Sequence, residues 1–282
     1  MRFRVAHVTR YQYSGAAFLE PHTFRLLPRG GGSQRVFNYE LILDPNPAGL
    51  TETLDAENNA VHFAWWENQT SSLAVNSSFE VETLRFNPYD FLLSDLSLAT
   101  LPVAYPENVQ PTLAPYTVRQ NPDRSVYEFA KHIAQSVDWQ TIPFLASLNR
   151  KLHTHVEHLV REEGAPQLPA ETLATRTGAC RDVAVVFIEA CRAMGIAARF
   201  VSGYELLAAS SDRAFMHAWA EVFLPGAGWR GYDPSRGLAV AENHVAVAAA
   251  LLPASATPIA GTFRGNAVIS SMTFEIQVAQ AF

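Results

Sequence analysis

Cys180, His217 and Asp233 stand in the second half of the chain in an order and at spacings that suit nucleophilic thiol chemistry. A thiol becomes a strong nucleophile when an imidazole takes its proton, and the imidazole works best when a carboxylate fixes its tautomer and orientation. The surroundings of each residue fit that use. Cys180 sits in Thr177-Gly178-Ala179-Cys180-Arg181-Asp182-Val183-Ala184, and Val183, Phe187, Ala190 and Met194 then recur at spacings of three and four. That stripe predicts a helix beginning at the cysteine. Asp182 suits the first turn of such a helix, and Gly195 is its stop. Gly178 lets the backbone come close just ahead of the thiol. Free N–H groups at a helix start stabilise a thiolate and can donate to an oxyanion forming beside the sulfur.

His217 lies in a segment that alternates. Met216, Ala218, Ala220, Val222 and Leu224 make a small apolar face suited to packing on a helix, while His217, Trp219 and Glu221 face the other way. After Pro225-Gly226-Ala227-Gly228 the chain returns as Trp229-Arg230-Gly231-Tyr232-Asp233, and Pro234 ends the strand. The hairpin contains a geometric condition. His217 and Asp233 share a face only with an odd turn register, such as a loop from Leu224 to Gly228 that sets Asp233 opposite Trp219. A four-residue loop would put the carboxylate on the wrong face.

The elements that must position these residues fall into three stretches. Residues 1–86 predict a small antiparallel sandwich-like β domain: Phe3, Val5, His7, Thr9 and Tyr11 alternate with Arg4, Ala6, Val8 and Arg10, and period-two runs recur at Phe37 to Leu43, at Val61, Phe63 and Trp65, then at Phe79, Val81 and Thr83. Residues 87–122 carry six prolines, which break any long element and mark a connecting segment. Residues 123–282 form the second domain, with helical patterns at Val126–Ile133 and Leu145–Leu159. A strand at Arg199–Tyr204 follows the cysteine helix, and a polar loop through Ser210–Arg213 leads to the His217 strand. The fold class is α+β.

Other chemistries receive less support. Gly226, Gly228 and Gly231 spell a dinucleotide-type glycine pattern, but Pro234 forbids the helix that should follow. The chain has no GxSxG elbow, HExxH or Walker loop. His153, His155 and His158 tempt a metal reading. If the helix runs through them, His155 and His158 share a face and His153 points away, and no cysteine or close acidic ligand completes a set. No metal and no cofactor are expected. Cys191, three turns beyond Cys180 on the same helix, cannot pair with it and is expected in the core. A net charge of −6 without a basic block argues against nucleic acid as a partner. The start lacks a signal-type apolar run, and no stretch is long enough to span a bilayer, so a cytoplasmic protein with no membrane partner is expected.

Three blocks, Gly178-Ala179-Cys180-Arg181-Asp182, His217-Ala218-Trp219-Ala220-Glu221-Val222 and Gly228-Trp229-Arg230-Gly231-Tyr232-Asp233-Pro234, resemble the catalytic blocks of the transglutaminase-like superfamily. The likeness is strongest to its bacterial branch of candidate cysteine proteases with an N-terminal β domain. The opening of that branch is similar to Arg4–Tyr13 and Phe24–Arg29 here. The resemblance implies a papain-like core, a helix packed on an antiparallel sheet. It also implies Cys180 as nucleophile, His217 as base and Asp233 as orienting acid. The backbone N–H of Cys180 would be half of an oxyanion hole, and Trp219 and Arg181 would line the cleft. One departure stands out: Ala246–Ala260, charged in relatives, is nearly all alanine, leucine and proline here, although Gly261-Thr262-Phe263-Arg264-Gly265 follows as in relatives.

The expected function is a thiol enzyme that cleaves an amide bond of a peptide or protein substrate through an acyl-cysteine thioester. Transfer of the acyl group to an amine shares every step up to the thioester. A retired enzyme that only binds a partner is the alternative of another class, which an intact triad opposes. A metal-dependent hydrolase comes third.

Overall fold

The computed structural model describes residues 1–161, 163–206 and 216–281. The stretch Ser210–Arg213 lies outside them. The N-terminal strands are β1 (Arg2–Leu19), β2 (His22–Phe24), β3 (Gln34–Asp44), β4 (Gly49–Leu54), β5 (Ala60–Trp65) and β6 (Gln69–Thr83). Period-two alternation builds the main sheet: Phe3, Val5, His7 and Thr9 of β1 and Val75, Ser77, Phe79 and Val81 of β6 are buried, while the residues between them turn outward. In β5 the inward set differs from the one expected. His62 and Ala64 are buried, whereas Phe63 and Trp65 are 38% and 36% exposed. Either face of an alternating aromatic run can be the inner one. Here Trp65 finds its cover sideways, across Gly49 on β4, where a Cβ would overlap the indole.

The helical layer holds α1 (Gln110–Thr117), α2 (Arg124–Ser136) and α3 (Thr141–His155). The two-residue strand β7 (Glu157–His158), α4 (Pro169–Thr175), the short β8 (Thr177–Gly178) and α5 (Cys180–Ala193) come next. Asp123 caps α2 by accepting the Ser125 N–H at 2.7 Å. The hub is α5. Every residue from Asp182 to Arg192 is buried, because α2, α3 and α4 cover one side and the core sheet the other. Burying Phe187 alone is worth about 2 kcal/mol. The buried charges in α5 are partnered: Glu189 accepts the Gln120 N–H at 2.9 Å and pairs with Arg192 at 3.3 Å. Gly195, at φ +77°, ends the helix where the Val103 carbonyl passes 2.5 Å from a would-be Cβ.

The core sheet is antiparallel: β9 (Ala198–Glu205), β10 (Met216–Leu224), β11 (Gly228–Asp233), β12 (Leu238–Ala239) and β13 (His244–Ala250), in the spatial order β12-β11-β10-β9-β13. Ala218, Ala220, Val222 and Leu224 pack toward α5, as their alternation predicts. The alanine-rich run begins as β13, whose Ala248, Ala249 and Ala250 are fully buried. Its free edge is covered by side chains of the N-terminal region. The Asn59 amide donates to the Ala249 carbonyl at 3.0 Å and accepts the Ala249 N–H at 2.8 Å. Gln34 does the same for Ala246 at 2.8 and 3.0 Å.

The chain ends with β14 (Ile259–Ala260), β15 (Phe263–Arg264) and β16 (Ser270–Ala281). These leave the core sheet: β14 pairs with β2, and β15 and β16 pair with β1. The tail of the stretch 123–282, expected in the core domain, thus completes the N-terminal sheets. Alternation identifies a strand but does not name its neighbour.

Candidate active site

The helix start forms as its residues require. The Asp182 carboxylate, fully buried, reaches back to accept the Ala179 N–H at 2.7 Å, and its other oxygen accepts from Arg161 at 2.6 Å and from the Gln167 N–H at 2.8 Å. One carboxylate therefore fixes the turn ahead of Cys180 and ties it to the 161–167 segment. Gly178 is needed there, since a Cβ would meet the Asp182 Cβ at 3.1 Å and the Thr172 methyl at 3.2 Å. Cys180 is the first residue of α5, so its N–H has no acceptor within the helix.

The hairpin meets the geometric condition. β10 and β11 pair with Leu224 opposite Gly228 and Ala220 opposite Tyr232, a register that continues to Trp219 opposite Asp233. His217 Nε2 then lies 2.6 Å from Asp233 Oδ2, both side chains being buried. A carboxylate only accepts, so Nε2 carries the proton and Nδ1 is the ring nitrogen left for the sulfur. Burial alone would push the Cys180 thiol up. Hydrogen bonds from His158 and His217, the His217 charge and the Ala218 N–H outweigh it and bring the thiol down to about 6. His217, against its own burial, is raised to about 10 by Asp233 and by Cys180. Asp233 is held far below the usual carboxylate range despite burial, by hydrogen bonds from His217 and His244 and by their charge. The three groups together favour a thiolate beside an imidazolium.

Two neighbours expected at the cleft sit otherwise. Trp219 is 1% exposed, packed with Val201 and Ala249 and edge-on to His244 at 5.2 Å, so it is core beneath the site and not its lining. Arg181 is tied down by its guanidinium, which donates to the carbonyls of Arg161 at 2.6 Å and Glu163 at 2.5 Å. Glu221, on the His217 face of β10, is taken by Arg199 at 2.7 Å.

Three residues of the cluster go beyond what the sequence alone assigns. Helical spacing would pair His158 with His155, but α3 ends at His155. His158 belongs to β7, whose parallel pairing with β8 sets it opposite Gly178 and against the Cys180 sulfur. His244, the first residue of β13, places Nε2 3.0 Å from Asp233 Oδ2. Ser235 donates its N–H at 3.1 Å and its hydroxyl at 2.7 Å to Asp233 Oδ1. A signal for Ser235 does exist in the sequence, as an Asp-Pro-Ser turn invites that bond. For the two histidines there is none, since each arrives on a strand whose partner is distant in the chain. His158 and Ser235 also border a cavity of about 450 Å³ lined by His153, His155, Glu157 and Arg176. Among the described residues, His217, Asp233 and His244 form the one grouping with ligand-type atoms within 4.8 Å of one another. Their facing atoms are already joined by hydrogen bonds, and the three are buried.

Residues 3–82 match the family model for the bacterial transglutaminase-like N-terminal region, and residues 119–234 match that of the transglutaminase-like superfamily core. An uncharacterised protein of Mycobacterium tuberculosis is 26% identical over 290 residues, spanning 98% of this chain and 92% of that protein. One of Mycobacterium leprae is 25% identical over 282 residues, spanning 94% of each. The crystal structure of a candidate cysteine protease from Cytophaga hutchinsonii superposes with a TM-score of 0.73 at 21% identity, covering 99% of this chain and 90% of that one. That likeness extends the shared fold through both β layers and the helical layer. No helix among the described residues is long and apolar enough to cross a membrane. With both of its regions matched in order, the chain belongs to the bacterial transglutaminase-like superfamily.

Proposed function

We propose that the protein is a thiol-dependent enzyme that cleaves amide bonds of peptide or protein substrates through an acyl-cysteine thioester. The observation that carries this reading is the His217–Asp233 contact of 2.6 Å, made by the ring nitrogen remote from a helix-start thiol lowered to about 6. In the first half-reaction the Cys180 thiolate attacks the carbonyl carbon, and the C–S bond forms as the carbonyl electrons move to oxygen. The N–H of Cys180 is a donor for that oxyanion. The C–N bond then breaks, and His217 hands its proton to the departing amine. In the second, His217 takes a proton from water as its oxygen bonds to the thioester carbon, the C–S bond breaks with its electrons going to sulfur, and the acid leaves with the thiolate–imidazolium pair restored. An amine in place of water gives acyl transfer by the same steps.

The test is alkylation of Cys180 by iodoacetamide as a function of pH, read by mass spectrometry. Cys191, fully buried with its thiol pushed well up, is the internal control. Wild type should react with an edge near pH 6 and His217→Ala near the free-thiol value of about 8.5. A wild-type edge at the free-thiol value removes the reading.

A further inference from the structure

Asp233 is saturated. Its Oδ1 accepts from the Ser235 N–H, the Ser235 hydroxyl and the Arg236 N–H at 3.1, 2.7 and 3.2 Å, and its Oδ2 faces two imidazoles, His217 at 2.6 Å and His244 at 3.0 Å. The carboxylate can only accept, so His244 carries its proton on Nε2. Its Nδ1 is buried without a hydrogen-bond partner. A core histidine kept for packing would be expected to satisfy both nitrogens. Here the ring is oriented by a single polar contact, and that contact is to the aspartate of the candidate triad. The other groups about His244 are the Trp219 ring at 5.2 Å and, across β9 in register, Glu205. Glu205 is engaged by Arg236 at 2.7 Å, and Glu242 lies two residues upstream.

We propose that His244 is a positioning residue of this cluster: it shares Asp233 Oδ2 with His217 and thereby sets how tightly the aspartate holds the His217 proton. The inference rests on the triad reading above. An oxygen divided between two N–H donors is a weaker acceptor for each. His217 is thus held strongly enough to stay charged beside the thiolate and loosely enough to release its proton to a leaving amine. Because Ser235 and Arg236 pin Oδ1, the carboxylate stays in place when His244 is replaced, and His217 then has Oδ2 to itself.

The experiment compares wild type with His244→Phe, which keeps a ring without a donor, and His244→Gln, which keeps a donor near Nε2. Two readouts apply: imidazole N–H proton resonances in protein labelled with nitrogen-15 histidine, and the pH edge of Cys180 alkylation by iodoacetamide. Wild type should show two downfield N–H signals, from His217 and His244. In His244→Phe the His217 signal should remain and move further downfield, with the alkylation edge lower by about one pH unit, tenfold in the equilibrium. His244→Gln should lose the His244 signal while keeping the His217 signal and the alkylation edge at their wild-type values. Unmoved readouts in His244→Phe would leave His244 as packing and overturn the proposal. So would an edge that rises toward the free thiol, which means the carboxylate has swung away. If His244→Phe does not fold, the absence of a His244 N–H signal in wild type decides against it. Two signals in a wild type whose thiol edge is ordinary would sink the proposed function and leave the shared oxygen standing.

Discussion

His158 shows how much of a thiol's reactivity can come from outside its triad. The Cys180 sulfur lies against two imidazoles, one on the core sheet and one on a strand of two residues, and burial opposes both. The hydrogen bond from His158 lowers the thiol alongside the hydrogen bond and charge of His217. Replacing His158 with alanine should therefore raise the alkylation edge from about 6 by about one pH unit, while leaving the His217–Asp233 pair intact. An edge that stays at its wild-type value in His158→Ala would show that the exposed imidazole only passes by the sulfur. The contrast with Cys191 is instructive. Both thiols lie on α5, but one has hydrogen-bond donors aimed at it, whereas burial pushes the second well up despite the nearby Arg192 charge.

At the scale of elements, the hairpin register and a glycine beneath it decide whether the site exists. Gly203 stands opposite His217 on β9. A Cβ there would lie 2.1 Å from the Val245 carbonyl and 2.6 Å from the Trp219 ring, the ring on which His244 packs. Gly203→Ala must push backbone or indole aside, a loss of about 3 kcal/mol and of about 6–12 °C in melting temperature. Gly30→Ala, where nothing lies within 4 Å of the added carbon, is the control and should melt as wild type. If the two variants melt together, the core sheet is looser around Trp219 than its burial indicates. Elements of this kind are unevenly legible in the amino-acid sequence. The α5 start and the β10 face follow from local spacing, while the hairpin register is a condition that spacing leaves open and that the β10–β11 pairing meets. Local spacing does not bring in His158 and His244, because what places them is pairing between β7 and β8 and between β13 and β9. Trp219 departs from its expected place at the cleft for a related reason. Sharing the His217 face says nothing about what covers that face, and here β9 and β13 do.

For the whole molecule, the question is what joins the N-terminal β region to the core, and the answer is polar as well as apolar. The edge of β13 is closed by Asn59 and Gln34, so Asn59→Leu leaves the Ala249 N–H and carbonyl buried and unpaired. That should cost about 1–3 kcal/mol for each group, read as a shift in the urea midpoint. The second tie responds to pH. His7 of β1 lies 2.8 Å from the Tyr204 hydroxyl of β9, with Thr9 at 3.1 Å on its other nitrogen. Burial lowers its pKa to about 4. Between that value and the ordinary one of about 6.5, the unfolded chain binds a proton that the native ring refuses, so stability rises with pH across this window. The contribution is fully present above about pH 6.5 and is lost as pH falls toward 4, to a total approaching about 3 kcal/mol. His7→Phe removes the titrating group while keeping a ring in the Phe3, Val5 and Phe79 cluster. Urea midpoints measured at pH 7 and pH 4.5 should therefore fall less in the variant than in wild type. Equal falls would mean that the imidazole charges without strain, and the tie between β1 and β9 would then rest on apolar packing alone.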